Sequence, residues 1–249
     1  MTERKDRIAQ AFGRVAGAYD DAADVQWRVA AMLAEMICGG VRPPPARILE
    51  IGCGTGFLSL RVAEAFPGSK LVLTDIAPTM VALCKERLGP GHEYLVIDGE
   101  CPTGLAGQFD LIVSNLAIQW FVDLKGGIER LCQLLSPRGK MFFSTLGRQT
   151  FDEWRAAHER LGLACGTPIY PTADDFPWPA GFSHNIAEEF ILQPYGNGQE
   201  FVRTLKALGA SEPAPGYHPL STGAFRRLLT SLEGGLAVTY HVLLGEISR

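Results

Sequence analysis

Hydrophobic and polar positions follow two periods along this chain, and the switches between them divide it into strands and helices. Val25, Val29, Met32, Leu33 and Met36 recur at three- and four-residue steps, which predicts a helix over 22–38. Pro43, Pro44 and Pro45 stop it and deliver an extended segment. Short runs of branched and apolar residues then predict strands over 47–51, 70–74, 94–97, 110–114 and 140–145. Helices are predicted between them over 57–65, from Pro78 through Arg87, and over 127–135. Pro67-Gly68 and Ser136-Pro137-Arg138-Gly139 read as turns. Strand and helix units joined by short turns specify an α/β sheet covered on both faces.

After residue 146 the rhythm changes. Helical patterns over 151–163, 199–208 and 222–232 surround strands predicted over 188–194 and 236–246. This divides the chain into 1–146, an N-terminal segment with the main binding region, and 147–249, which adds cap helices and completes the same sheet. The segment 171–183, with Phe176, Trp178 and Phe182, either lines a pocket or packs within the cap.

Composition narrows the class. The chain has 249 residues, 47% of them hydrophobic, enough for a substantial core. A net charge of −4 argues against a globally basic nucleic-acid binder. No apolar run reaches the length of a membrane span, and residues 1–8 alternate in charge without a secretory apolar stretch, so the expected location is the cytoplasm. Six cysteines are too dispersed for a Cys-x-x-Cys pair and read as reduced, mostly buried side chains. Five histidines form no close ligand set, so no metal site is expected.

Candidate chemistry begins where the first strand runs into Gly52-Cys53-Gly54-Thr55-Gly56-Phe57. Alternate glycines between a strand and a helix let backbone approach a ligand. A dinucleotide fingerprint wants a small residue where Phe57 stands, and a P-loop wants Gly-Lys-Ser/Thr, which is absent. A nucleoside ligand without a required pyrophosphate remains. Glu50 can meet an ammonium group, or stand as a solvated strand-end charge. Asp75, after the second strand, offers acceptor oxygens for vicinal ribose hydroxyls. Asp98 follows the third strand and can accept from an adenine amino group or cap a turn. Asn115, with Leu116 beside it, follows the fourth and can orient cofactor or substrate.

The glycine motif with Glu50 and Asp75 resembles that of class I S-adenosylmethionine-dependent methyltransferases. More narrowly, Ala11-Phe-Gly-Arg-Val-Ala-Gly-Ala-Tyr19, Ser114-Asn-Leu-Ala-Ile-Gln-Trp120, Phe143-Ser-Thr-Leu-Gly147, Leu205-Lys-Ala-Leu-Gly-Ala210 and Thr239-Tyr-His-Val-Leu-Leu-Gly245 resemble the malonyl-[acyl-carrier protein] O-methyltransferase family of biotin synthesis. The resemblance spans nearly the whole chain. It implies a Rossmann-like, seven-stranded methyltransferase sheet with helices on both faces and a helical cap. It also implies methyl transfer from S-adenosylmethionine to the free carboxylate of a malonyl group on acyl carrier protein or coenzyme A. Glu50, Gly52, Cys53, Gly54 and Gly56 would hold the methionine portion, Asp75 and Ile76 the ribose, and Asp98 and Gly99 the adenine region. Asn115 and Leu116 would lie beside the transfer centre, with Tyr19 closing over it.

A carboxylate acceptor is already deprotonated at neutral pH, which fits a chain with no evident catalytic triad. Recognising it calls for oriented donors, and Arg148 at the cap junction, or Arg203, is the expected guanidinium. Arg155, Arg160, Arg203, Lys206, Arg226 and Arg227 either form a docking patch for an acidic carrier or are dispersed surface charges. Nucleic acid and membrane are not expected partners. The competing readings are methyl transfer to another small carboxylate or hydroxyl acceptor, and a non-catalytic cofactor-binding scaffold.

Overall fold

The computed structural model describes residues 3–249. Five strands run parallel: β1 (Arg47–Ile51), β2 (Lys70–Asp75), β3 (Glu93–Val96), β4 (Phe109–Asn115) and β5 (Leu135–Leu146). Two late strands, β6 (Ser183–Tyr195) and β7 (Leu236–Ser248), are antiparallel to each other, and β7 is antiparallel to β5. The seven-stranded order is β3-β2-β1-β4-β5-β7-β6. The chain leaves β1 toward β2 and β3 on one side and returns beside β1 as β4 on the other. A crevice therefore opens between the C-terminal ends of β1 and β4, where open parallel sheets bind ligands.

Period-two alternation sends neighbouring residues to opposite cores. Ile48, Leu71, Leu73 and Phe142 join one cluster; Leu49, Val72 and Phe143 join the other. Helices α3 (Asp24–Gly40), α4 (Phe57–Ala65) and α5 (Pro78–Leu88) cover the first face, and α6 (Leu124–Gln133) covers the second. The remaining helices are α1 (Glu3–Val15) and α2 (Tyr19–Ala22) at the N-terminal end, and α7 (Asp152–Arg160), α8 (Gly198–Ala207) and α9 (Thr222–Thr230) around the late strands. Helix α1 carries no long apolar stripe and escapes periodicity; its Ile8 and Phe12 line a cavity instead of the sheet core.

Several boundaries differ from the sequence reading for identifiable reasons. Helix α6 starts at Leu124 rather than 127 because the Asp123 carboxylate accepts from Gly126 N at 2.9 Å and caps it. The expected turn at Ser136–Gly139 lies inside β5: Phe109 pairs with Leu135 and Leu111 with Lys140, so these residues bulge out, with Arg138 at φ 70°. Helix α7 ends at Arg160, short of 163. Strand β6 reaches back to Ser183, far ahead of 188, because its edge position needs backbone pairing on one side only and hydrophobicity does not mark it. Within 171–183 the aromatics take the packing role: Phe176 stacks on Phe143 with centroids 5.1 Å apart, and Trp178 lies 4.5 Å from Phe176. All six cysteines are free thiols. Among the described residues, no helix is long and apolar enough to cross a membrane.

Candidate active site

The glycine turn closes on itself through β2. Gly52, Gly54 and Gly56 take φ of 72°, 53° and 98°, a region L side chains resist. A Cβ at Gly52 would also overlap the Ala117 side chain beyond β4. Cys53 N donates to Thr74 O at 2.8 Å. Gly54 N donates to Asp75 Oδ2 at 3.0 Å, and Ala77 N to Asp75 Oδ1 at 2.8 Å. Asp75 thus braces the turn and retains lone pairs toward the crevice. Burial pushes its carboxyl above the ordinary range, although the Ala77 and Gly54 amides work against that shift. Helix α4 starts immediately after Gly56, so its free N-terminal amides favour an anionic ligand group.

Glu50 sits beneath this turn, 1% exposed. Its Oε2 has no hydrogen-bond partner. Burial, with the nearby Cys84 and Asp75 adding repulsion, raises this carboxyl well above the usual glutamate value. A buried acceptor left without a donor is costly, so the arrangement suits a cationic ligand group.

Three cavities meet at Tyr19. The first is lined by Gly52, Gly54, Asp75, Ile76, Asp98 and Gly99 on one wall, with Asn115, Leu116 and Trp120 opposite. A small one lies against Glu50, Cys53 and Thr55. The third, about 360 Å³, extends between Leu116 and Trp120 and the late helices, against Trp154, Val202, Leu205 and Phe225. Tyr19 belongs to all three. Burial and the charges of Asp75 and Asp20 raise its phenol pKa, so it remains a proton donor.

The loop after β4 is held rigidly. Ser144 Oγ donates to Asn115 Oδ1 at 2.8 Å and accepts from Leu116 N at 2.9 Å. Asn115 Nδ2 donates to the Gln26 carbonyl at 3.2 Å, and Gln119 Nε2 donates to Leu116 O at 2.6 Å. These bonds sustain φ 47° at Leu116, a non-glycine residue in the left-handed region.

The N-terminal helices form the roof. Lys5 Nζ contacts Asp98 Oδ2 at 2.6 Å and Glu100 Oε2 at 2.9 Å. Burial alone would lower the Lys5 pKa, but these two carboxylates outweigh it and hold it raised. Phe12 meets Trp120 edge-on with centroids 5.5 Å apart. Thr55 Oγ1 donates to Asp20 Oδ1 at 2.6 Å, and Arg87 pairs with the same carboxylate.

The structure thus brings Tyr19, Glu50, Gly52, Cys53, Gly54, Asp75, Ile76, Asp98, Gly99, Asn115 and Leu116 to the walls of this system. Gly56 lines none of the three cavities; it is the residue from which α4 departs, against Cys84, Arg87 and Leu88 of α5. Two expected arginines are not brought in either. Arg148 Nε donates to Tyr170 O at 2.9 Å and its guanidinium lies 3.5 Å from Asp175, so the 171–175 loop captures it at the surface. Arg203 is exposed on α8, whose neighbours Val202 and Leu205 line the cavity instead. Arg155 is also committed internally, donating to the Arg148 and Thr150 carbonyls. Gln26, Lys5, Gln119, His158 and Tyr170 line the cavities but were not singled out, because each is a polar residue in a segment whose pattern reports only core-facing positions.

A parallel sheet with a glycine turn after its first strand, an acid after its second and an antiparallel seventh strand defines a class I S-adenosylmethionine-dependent methyltransferase. The residues fit that cofactor: Glu50 Oε2 awaits a cation, Asp75 presents acceptors for hydroxyls, and glycines keep the wall free of side chains. The profile of the methyltransferase domain family matches residues 49–141. A malonyl-[acyl-carrier protein] O-methyltransferase of Magnetococcus marinus is 39% identical, over 99% of this chain and 93% of its own length. The biotin biosynthesis bifunctional protein BioCD of Bordetella avium is 40% identical over 96% of this chain, which spans 51% of that longer protein. The plantazolicin methyltransferase BamL, solved with S-adenosylhomocysteine, shares the fold at TM-score 0.56 and 16% identity, covering 99% of this chain and 97% of its own. The chain belongs to the malonyl-[acyl-carrier protein] O-methyltransferase family.

Proposed function

We propose that this enzyme esterifies the free carboxylate of a malonyl thioester carried on acyl carrier protein, as a step of biotin synthesis. The observation that carries this reading is the junction at Tyr19, Leu116 and Trp120, where the donor cavity opens into the larger cavity under α7, α8 and α9. Bound S-adenosylmethionine supplies an electrophilic methyl group on a sulfonium. Glu50 and the glycine turn hold its amino-acid end, Asp75 its ribose hydroxyls, and Asp98 and Gly99 its adenine side.

The acceptor carboxylate is ionised at neutral pH and needs no base. Tyr19, whose hydroxyl stays protonated, donates to it and aims one oxygen at the donor cavity. The apolar walls formed by Phe12, Trp120, Leu146 and Phe151 exclude water, and neutralisation of an anionic acceptor by a cationic donor favours transfer there. Lys206 stands exposed where α8 lines the acceptor cavity, and Arg203, Arg226 and Arg227 are exposed on α8 and α9. None of these four has an ion-pair partner among the described residues, and their positive field suits an acidic carrier.

A labelled-methyl assay tests the reading with malonyl carrier protein, malonyl-coenzyme A, acetyl carrier protein and malonic acid. The expected result is S-adenosylhomocysteine and a malonyl methyl ester from the malonyl thioesters, none from acetyl carrier protein, and preference for the carrier. Cofactor binding without malonyl-dependent ester would refute it. Charge reversal at Arg203, Lys206, Arg226 and Arg227 should depress carrier use more than coenzyme A use, and equal losses would remove the docking assignment.

A further inference from the structure

Among the described residues, two buried side-chain polar atoms have no hydrogen-bond partner: Gln26 Oε1 and Glu50 Oε2. Both residues line the same small cavity, between the glycine turn and Asn115, and no lysine, arginine or histidine lines it with them. Two acceptors that share a cavity and lack a donor specify a ligand group with at least two N–H or O–H donors. The carboxylic group among them makes a cation the better complement.

We propose that Gln26 and Glu50 together read the primary ammonium of the methyl donor, and that Gln26 is the residue that makes donor binding specific for that amino group. The two groups arrive from unrelated places, Glu50 from β1 and Gln26 from the first turn of α3. Val25 and Val29 anchor α3 in the core and fix the rotation that turns Gln26 toward the cavity. The backbone carbonyl of Gln26 accepts from Asn115 Nδ2, and Asn115 is fixed by Ser144, so the backbone that carries the carboxamide is tied to the loop after β4. Gln26, like Tyr19, also lines the larger cavity under the late helices. The inference rests on S-adenosylmethionine as donor and is independent of the acceptor.

Calorimetric titration of the complete chain with S-adenosylhomocysteine and with its des-amino analogue tests this. The wild type should prefer the amino compound. Gln26→Leu should lower S-adenosylhomocysteine affinity roughly 10- to 100-fold and leave the des-amino analogue within about twofold. Gln26→Glu, which keeps an acceptor, should hold S-adenosylhomocysteine affinity near or above wild type. An equal loss for both ligands in Gln26→Leu, unchanged S-adenosylhomocysteine affinity, or a Gln26→Glu variant as weak as Gln26→Leu would each overturn the proposal. Failure of the wild type to bind either ligand would refute the donor assignment itself.

Discussion

Lys5 and Asp98, 93 residues apart in sequence, are joined by a 2.6 Å ion pair that fastens the N-terminal helix over the Asp98–Gly99 side of the first cavity. Glu100 shares the ammonium and also accepts from Val122 N at 2.7 Å and Asp123 N at 3.1 Å. One lysine therefore connects the roof, the loop after β3 and the start of α6. Removing one partner of a buried pair typically costs about 3–5 kcal/mol, though here opening of α1 alone limits the global loss. Lys5→Met should raise hydrogen exchange across Glu3–Val15 and accelerate S-adenosylhomocysteine release. Exchange and release at wild-type rates would show that the pair does not hold the roof.

Glu50 gives the empty enzyme a distinctive pH response. Burial, then repulsion from Cys84 and Asp75, raises its folded-state pKa above the unfolded value. The native state thus holds a proton that the unfolded state releases, and stability is full below the ordinary glutamate range and falls as pH rises toward the folded value. Glu50→Gln stays neutral throughout, so its melting temperature without ligand should exceed wild type by a margin that grows with pH. Asp75 is shifted the same way and leaves a shared slope in both proteins. The substitution should weaken S-adenosylhomocysteine roughly 10- to 100-fold, as loss of a charged hydrogen-bond partner requires. Melting curves across pH, with titration at neutral pH, check both halves.

Tyr19 should matter for transfer far more than for donor binding. Its hydroxyl stays protonated, and the residue lines all three cavities. Tyr19→Phe keeps the ring beside Phe12 and Phe57 and deletes only the donor. The expected loss in kcat/KM for the malonyl thioester is roughly 10- to 100-fold, with S-adenosylhomocysteine affinity within about twofold of wild type. A parallel loss in cofactor affinity would assign Tyr19 to the roof alone.

Arg148 should prove a loop anchor. Its guanidinium holds the Tyr170 carbonyl and Asp175 and is half exposed. Arg148→Ala should cost on the order of 1 kcal/mol of stability, as exposed pairs do, and leave the KM for malonyl thioester nearly unchanged. A large rise in that KM with unchanged kcat would return the arginine to the acceptor.

Much of the donor half was legible because its chemistry is local in sequence. Strand, glycine turn and helix follow one another in Arg47–Ala65, and the positive φ at Gly52, Gly54 and Gly56 is a backbone demand that the residue type itself announces. Asp75, Asp98 and Asn115 line one cavity because a parallel sheet brings the ends of successive strands to one edge, so position at a strand end implies position at that edge. The acceptor half lacks such a rule. Arg148 was the plausible guanidinium by sequence position, yet the direction of a long side chain depends on whichever acceptor lies nearest, here the carbonyl of Tyr170.

By itself the sequence determined the sheet, its glycine cradle and the acids along its edge, because periodicity and residue type act through local backbone geometry. Tertiary structure alone decided that Lys5 and Tyr19 roof the cradle, that Gln26 lines the same small cavity as Glu50, and that the late helices, without Arg148 or Arg203, line the larger cavity beyond Leu116 and Trp120. Those relationships join residues far apart in the chain, and only packing of the helices on the sheet fixes which polar side chains turn inward.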